Sequence, residues 1–214
     1  MTSVSEVAER RRRGRPRKER GAASTRSAIV RAAAEEFTER GYEAASLRAV
    51  ARRAGVDSAL VHHYFDDKAD LFAATLEAPL RPDRVLSVVL GAPREEVGET
   101  LVRYLLTQLQ DDRAAARMVL ILRTVLSSGP GTRMLREFLT REVFTRLAAL
   151  THAEDADLRA DLAASQIVGV LMTRYALKLE PIASASPDEV ARRVGPVIQW
   201  HLFGDVDGGR GPGE

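Results

Sequence analysis

Apolar residues at Leu47, Val50, Ala51 and Ala54 recur at i, i+3, i+4 and i+7. That spacing makes one narrow helical face and predicts a short helix from about Ser46 to Arg53. Gly55 ends it, since a tight turn at Ala54-Gly55-Val56 needs small residues and the left-handed backbone that glycine tolerates. Asp57 then serves as the N-cap of a second short helix reaching about Tyr64. Two short helices joined by a glycine-containing turn are the helix-turn-helix pattern, whose second helix enters the major groove of DNA. Ahead of it, Ile29, Ala33 and Phe37 line one face of a helix predicted from about Thr25 to Arg40, capped by Ser24 or Thr25 and stopped by Gly41. After it, Asp67-Lys68-Ala69-Asp70 has capping-box spacing, so a fourth helix begins near Asp67 and carries Leu71, Phe72 and Leu76.

Pro79 and Pro82 punctuate the chain, and beyond them glycine and proline set the breaks between further helices. Arg84 to Leu90 is a short piece ending at Gly91. Pro93 opens a helix to about Gln110, striped by Val97, Leu101, Leu105 and Leu109. Asp111 or Asp112 caps the next, to about Leu126, which Gly129-Pro130-Gly131 stops. Another follows from Arg133 to Leu150, with Leu135, Phe138, Leu139, Leu147 and Leu150 on one side. From about Asp155 to Leu179 the pattern predicts a helix of roughly 25 residues, some 38 Å long. Its middle, Ile167 to Met172, is apolar nearly all round and must be covered on more than one side. Ser186-Pro187-Asp188-Glu189 combines a capping box with proline at the first helical position. The helix it opens carries Val190, Val194, Val197, Ile198 and Phe203, and Pro196 is expected to kink it. With no alternating strand pattern anywhere, the fold class is all-α, with about nine or ten helices.

The 214 residues, 45% hydrophobic and 29% charged, match a soluble globular protein built as one medium domain or a small head on a larger body. The chain has no cysteine, which excludes disulfides and thiolate metal sites and fits a reducing cytoplasm, the expected location. No apolar run approaches the roughly 18 residues of a membrane span and the N-terminus lacks an apolar signal core, so no membrane association is expected. The net charge of +2 hides an asymmetry: residues 1–70 carry 15 Lys+Arg against 11 Asp+Glu, residues 71–214 carry 17 against 19. The positive end is the end that holds the DNA motif.

Much of that excess lies in residues 1–22, which have almost no apolar side chains and are expected to form a disordered arm. Arg13-Gly14-Arg15-Pro16-Arg17-Lys18 has the form of an AT-hook core. Arg13, Arg15 and Arg17 either slide into the A·T-rich minor groove or bind phosphates as a salt-dependent tail. The glycine-rich end, residues 204–214, is expected to be disordered too. No nucleophile elbow, phosphate-cradling loop or paired catalytic carboxylates stand at a recognisable spacing, so neither an enzyme nor a cofactor is expected. His62 and His63 point about 100° apart on a helix and cannot chelate one ion together. Each has an aspartate four residues on, Asp66 or Asp67, but no metal site is expected there or at His152 and His201.

From Thr25 to about Leu76, through Phe37, Gly41-Tyr42, Ala54-Gly55-Val56, Tyr64-Phe65, Lys68 and Leu71-Phe72, the chain resembles the TetR family of transcriptional repressors. Arg174-Tyr175, Leu179-Glu180-Pro181 and Gln199 resemble a C-terminal subgroup frequent in actinobacterial members. The resemblance implies a DNA-binding part over residues 23–78, including a linking fourth helix, and a helical effector-binding and dimerisation part over residues 79–203. Position by position, Ser46 and Arg48 open the first helix of the motif, where an arginine either forks onto guanine or meets a phosphate. Ser58, Ala59 and Leu60 form the exposed first turn of the recognition helix. Leu60 replaces a frequent threonine and either touches a thymine methyl or turns into the core. His62 stands where a tyrosine often bonds phosphate, and its ring N–H can donate in turn. Tyr64 and Lys68 match phosphate contacts, while Val61 and Phe65 match core positions.

The resemblance also implies a homodimer whose last two helices form a four-helix bundle across a two-fold axis, through Ile167, Gly169, Val170, Val194 and Ile198. The family's effector pocket lies among the middle helices, where Tyr104, Arg123 and Arg174 are candidates, each open to a plain role as a packed or ion-paired residue. The implied function is repression: two recognition helices about one DNA turn apart read a quasi-palindromic operator. A small-molecule inducer of unknown identity releases them by preferring another subunit spacing. The alternative is a ligand-independent architectural protein that binds DNA through the basic arm, with affinity that varies little with sequence but falls steeply with salt.

Overall fold

The first helix, α1, runs Arg17–Ala44 and loses its helical backbone only at Gly41, where φ is 78° and ψ is 171°. A side chain disfavours that φ, so the glycine stop lies where expected and only Tyr42–Ala44 adds a last turn. The start differs from expectation: residues 17–22 are helical rather than disordered, and α1 begins well before Thr25. The computed structural model describes residues 17–127 and 129–204, with side chains from Ser24 onward except Val125, Leu126 and Pro130. Arg13, Arg15, the side chain of Arg17 and the tail from residue 205 lie outside the described residues.

Local chemistry sets the next three elements. Ser46 Oγ accepts the Ala49 N–H at 3.2 Å and opens α2, Leu47–Ala54. Gly55 turns left-handed (φ 67°, ψ 32°), and the Val56 N–H closes onto the Ala51 carbonyl at 3.0 Å. The Asp57 carboxylate takes the Ala59 N–H at 2.7 Å and opens α3, Ser58–Tyr64. Asp67 takes the Asp70 N–H at 2.7 Å ahead of α4, Lys68–Thr75. Ile29, Ala33, Phe37, Val50, Val61, Phe65, Leu71 and Phe72 are fully buried between these helices.

The remainder comprises α5 (Pro82–Leu90), a 3₁₀ turn (Arg94–Glu96), α6 (Val97–Gln108), α7 (Asp112–Leu126), α8 (Pro130–Leu139), α9 (Thr145–Ala148), α10 (Ala156–Leu171) and α11 (Pro187–Phe203). A π-helical turn, Thr140–Phe144, joins α8 to α9, and another, Met172–Ala176, extends α10. Counting α8 and α9 as one rod gives ten helices among the described residues, all of them α-class. Asp111 caps α7 and Ser186 caps α11, as their sequence contexts predict. Pro93 stands outside α6 rather than opening it, because the 3₁₀ turn intervenes, and the α10 rod ends at Ala176 instead of Leu179. α11 continues through Pro196.

α11 lies along α6, and α10 packs beside α11. The α6 and α11 backbones meet at Gly98 and Gly195, where a Cβ on Gly195 would stand 2.6 Å from the Glu99 Cα. Gln199 seals this crossing. Its Oε1 accepts the Gly98 N–H at 2.9 Å and its Nε2 donates to the Arg94 carbonyl at 2.7 Å, so α11 satisfies an orphan N–H in the first turn of α6 and ties down the 3₁₀ turn before it. Val190, Ala191, Gly195, Ile198 and Leu202 form the inward face of α11. Ile198, expected at the dimer interface, is 0% exposed within the subunit and therefore belongs to its core. On α10, Ala160, Ala163 and Leu171 are buried, with Ile167 and Val170 packed in the same cluster. The face turned outward carries Leu158, Leu162 and Val168, which are 58%, 40% and 43% exposed, and Gly169, with open space above it. No helix among the described residues is long and apolar enough to cross a membrane.

Candidate nucleic-acid interface

The helix-turn-helix is tied to α1 by a cluster of ion pairs. Arg53, in the last turn of α2, bonds Glu39 Oε1 at 2.8 Å and Glu36 Oε2 at 3.1 Å on α1. Glu36 is 2% exposed and also pairs with Arg40 at 3.0 Å, so its buried charge is compensated from two sides. The Arg53 hydrogen bond holds the Glu39 carboxyl below its usual range. Arg48 and Arg52, by contrast, are exposed and make no ion pair among the described residues. Ala59 is bare on the first turn of α3, flanked by the partly exposed Ser58 and Leu60. His62 and His63 project outward on the same helix, and the His63 ring meets the edge of the half-buried Tyr64 at 5.1 Å. Leu60 thus stays at the surface, while Val61 and Phe65 are buried as expected. Ser46 Oγ caps α2 and still has its own O–H to donate to a further acceptor.

Lys68 departs from its expected role. Its ammonium donates to the carbonyls of Tyr42, Glu43 and Ala45 at 2.9, 3.2 and 3.3 Å and lies 4.6 Å from the centre of the Tyr42 ring. All three donors are engaged, so the side chain closes the end of α1 instead of reaching for phosphate. Burial holds its pKa below the usual lysine range. We expect Lys68→Met to lower the unfolding free energy by about 2 kcal/mol in urea titrations. A lysine that only touched phosphate would leave stability within about 0.5 kcal/mol and reduce the salt slope of DNA binding by about one.

Of the effector candidates, Arg123 and Arg174 stand on elements that pack together, α7 and the π-helical turn Met172–Ala176. Arg123 is exposed, Arg174 donates to the Ile182 carbonyl at 2.6 Å, and Tyr104 packs against the core. The hollow between α6 and α10 is lined by Val102, Leu105, Leu106, Ile167, Val170 and Leu171 and measures only about 10 Å³. A wider cleft of about 410 Å³ lies outside, between Glu95, Glu99, Pro196, Trp200 and Phe203. Neither borders the three candidates. Sequence reasoning also missed Arg53 and Lys68 as braces and the outward α10 stripe. The stripe was legible as Leu158, Leu162, Ser165 and Gly169 at i, i+4, i+7 and i+11.

A short capped helix with an exposed Ala59 in its first turn, set beside two arginines that have no ion pair among the described residues, defines a DNA-binding protein of the helix-turn-helix class. The family model of the bacterial regulatory proteins, tetR family, matches residues 29–75, and that of the tetracyclin repressor-like C-terminal domain matches residues 95–202. The chain belongs to the TetR family of transcriptional regulators. It is 33% identical over 169 residues to the HTH-type transcriptional regulator BetI of Rhizobium meliloti, covering 74% of this chain and 81% of that one. It is 36% identical over 105 residues to the HTH-type transcriptional activator FasR of Mycolicibacterium smegmatis, covering 44% of this chain and 45% of that one. A crystal structure of a TetR-family regulator from Streptomyces coelicolor is 35% identical, with a TM-score of 0.47, 88% of this chain and 97% of that one being covered.

Proposed function

We propose that the protein is a homodimeric repressor that reads a quasi-palindromic operator and leaves it when a small-molecule inducer binds. The observation that carries this reading is the first turn of α3, with Ala59 exposed and Ser58 and Leu60 partly so, beside Arg48, which has no ion pair among the described residues. Arg48 reads a base or a phosphate, while Ser46, His62 and Tyr64 flank it as backbone contacts. Arg13, Arg15 and Arg17 add an arm in the minor groove. The dimer closes through the outward face of α10, with Leu158, Leu162, Val168 and Gly169, joined by the partly exposed Val194. Their exposed apolar area is what a second copy would cover. The inducer enters between α6 and α10, where every lining residue is apolar, and must widen that hollow to fit. It shifts the equilibrium only by binding the widened state better than the closed one.

The test is binding to DNA fragments upstream of the protein's own gene and its neighbours, at two salt concentrations, against a scrambled competitor. One fragment should be held tightly, and Arg48→Ala should weaken it by about 10- to 100-fold. Equal binding to all fragments, falling steeply with salt and lost on removing residues 1–22, would support the architectural reading instead.

A further inference from the structure

The stretch 41–45, the last turn of α1 and the residue after it, is gripped through Gly41, Tyr42 and Glu43 by α8 and the π-helical turn that follows it. Glu137 Oε2 accepts the Tyr42 main-chain N–H at 3.1 Å, and Gly41 lies so close that a Cβ there would stand 3.2 Å from the same oxygen. The fully buried Tyr42 donates its hydroxyl to Glu142 Oε1 at 2.8 Å. Glu142, itself buried, takes Arg146 on its other oxygen at 2.6 Å. Arg141 pairs with Glu43. Hydrogen bonds to a buried carboxylate are directional and strong, so they fix an angle as well as a distance.

The wide turn helps to make this grip possible. In a plain α-helix Glu142 would lie about 140° round from Glu137. The turn Thr140–Phe144, closed by the Thr145 N–H on the Thr140 carbonyl, holds an extra residue, and Glu137, Arg141 and Glu142 all reach residues 41–43. Such turns inside α-helical rods are rare and concentrate at functional sites. This one also packs against α5 and α10, and α10 lines the apolar hollow through Ile167, Val170 and Leu171. Ser46, the cap of α2, follows the gripped segment directly.

We propose that Tyr42 and Glu142 are positioning residues for DNA reading. Their hydrogen bond, presented by the π-helical turn, fixes the angle of the helix-turn-helix under the effector part, and displacement of α10 reaches α2 and α3 through this turn. The role in operator reading rests on the function proposed above. The angle itself does not.

Both can be tested in the full-length protein. The chain has no cysteine, so spin labels can be placed on the exposed Ala59 and Thr107 through Ala59→Cys and Thr107→Cys, with labelled chains diluted in unlabelled ones. The parent should give one narrow label-to-label distance, and adding Tyr42→Phe or Glu142→Gln should broaden or shift it. On the selected DNA fragment the same two substitutions, without labels, should weaken binding about ten-fold. They should also erase the parent's preference for the natural half-site spacing over one lengthened by two base pairs. A parental distance distribution and spacing preference in both variants, with only a lower melting temperature, would overturn the proposal. If the parent selects no fragment, the operator reading fails, and the label distances alone still decide whether Tyr42 and Glu142 hold the angle.

Discussion

Gly98→Ala is expected to lower the unfolding free energy by about 2–3 kcal/mol, although alanine is the better helix former by about 1 kcal/mol. The added methyl would overlap the Gly195 carbonyl and stand 2.8 Å from the Gln199 nitrogen. Both are main-chain atoms inside a helix, so neither can swing aside as a side chain would. α6 and α11 must separate, which loosens the packing of Leu101, Val102, Ile198 and Leu202 and breaks both Gln199 bonds. Gly195→Ala presses on the same crossing against Glu99. The double substitution should therefore cost less than the sum, since one separation relieves both clashes. Urea unfolding followed by the fluorescence of Trp200, the single tryptophan, measures all three. Stability equal to or above the parent's in Gly98→Ala would mean that the two helices stand farther apart.

Ala59→Asp should abolish operator binding, by at least 100-fold, while leaving the fold intact or slightly firmer. A carboxylate in the first turn of α3 is favoured by the helix dipole, by about 0.3–1 kcal/mol. Ala59 is exposed, so nothing has to be displaced to admit it. Against DNA the same carboxylate meets phosphate and base edges rich in acceptors, and like charges held together across an interface cost several kcal/mol. Fluorescence anisotropy with the selected fragment, beside a melting curve, separates the two effects. Affinity within three-fold of the parent would show that this turn does not enter the groove.

What could be read in advance was what neighbours in sequence decide. Gly55, Asp57 and Asp67 act on groups within five residues, so the helix-turn-helix and these caps followed from spacing alone, while Ser46, expected inside the helix, proved to be its cap. Gly41 was legible for the same reason. Lys68 was not, because the three carbonyls it binds, 23 to 26 residues upstream, converge only once α1 and α4 have packed. On α10 the apolar centre is nearly continuous, so periodicity left the register open. Ile167 and Val170 turned out to face inward, while Leu158 and Leu162 face out. Gly98 reads in sequence only as a weak spot in a helix, since its purpose belongs to a second backbone roughly a hundred residues on. Glu142 reads as a solvated helix charge, and nothing in the composition of Thr140–Phe144 announces a wide turn. Arg123 and Arg174 border neither hollow: Arg123 is exposed and Arg174 donates to the Ile182 carbonyl, a partner set by folding and not by spacing.

The aromatic cluster beneath the DNA-reading helices does not end where α4 ends. Phe138 of α8 sets its ring 4.6 Å from Phe72 and 5.2 Å from Tyr42, and Leu135 is buried in the same core. A cut at the linker near residue 78 would therefore pass through one hydrophobic interior, stripping Phe72 and Tyr42 of their cover. For anyone building hybrid regulators, the exchangeable unit is not the contiguous first third of the chain. It is that third together with the face of α8 that roofs it, and a new operator specificity can be grafted only with its own Leu135 and Phe138.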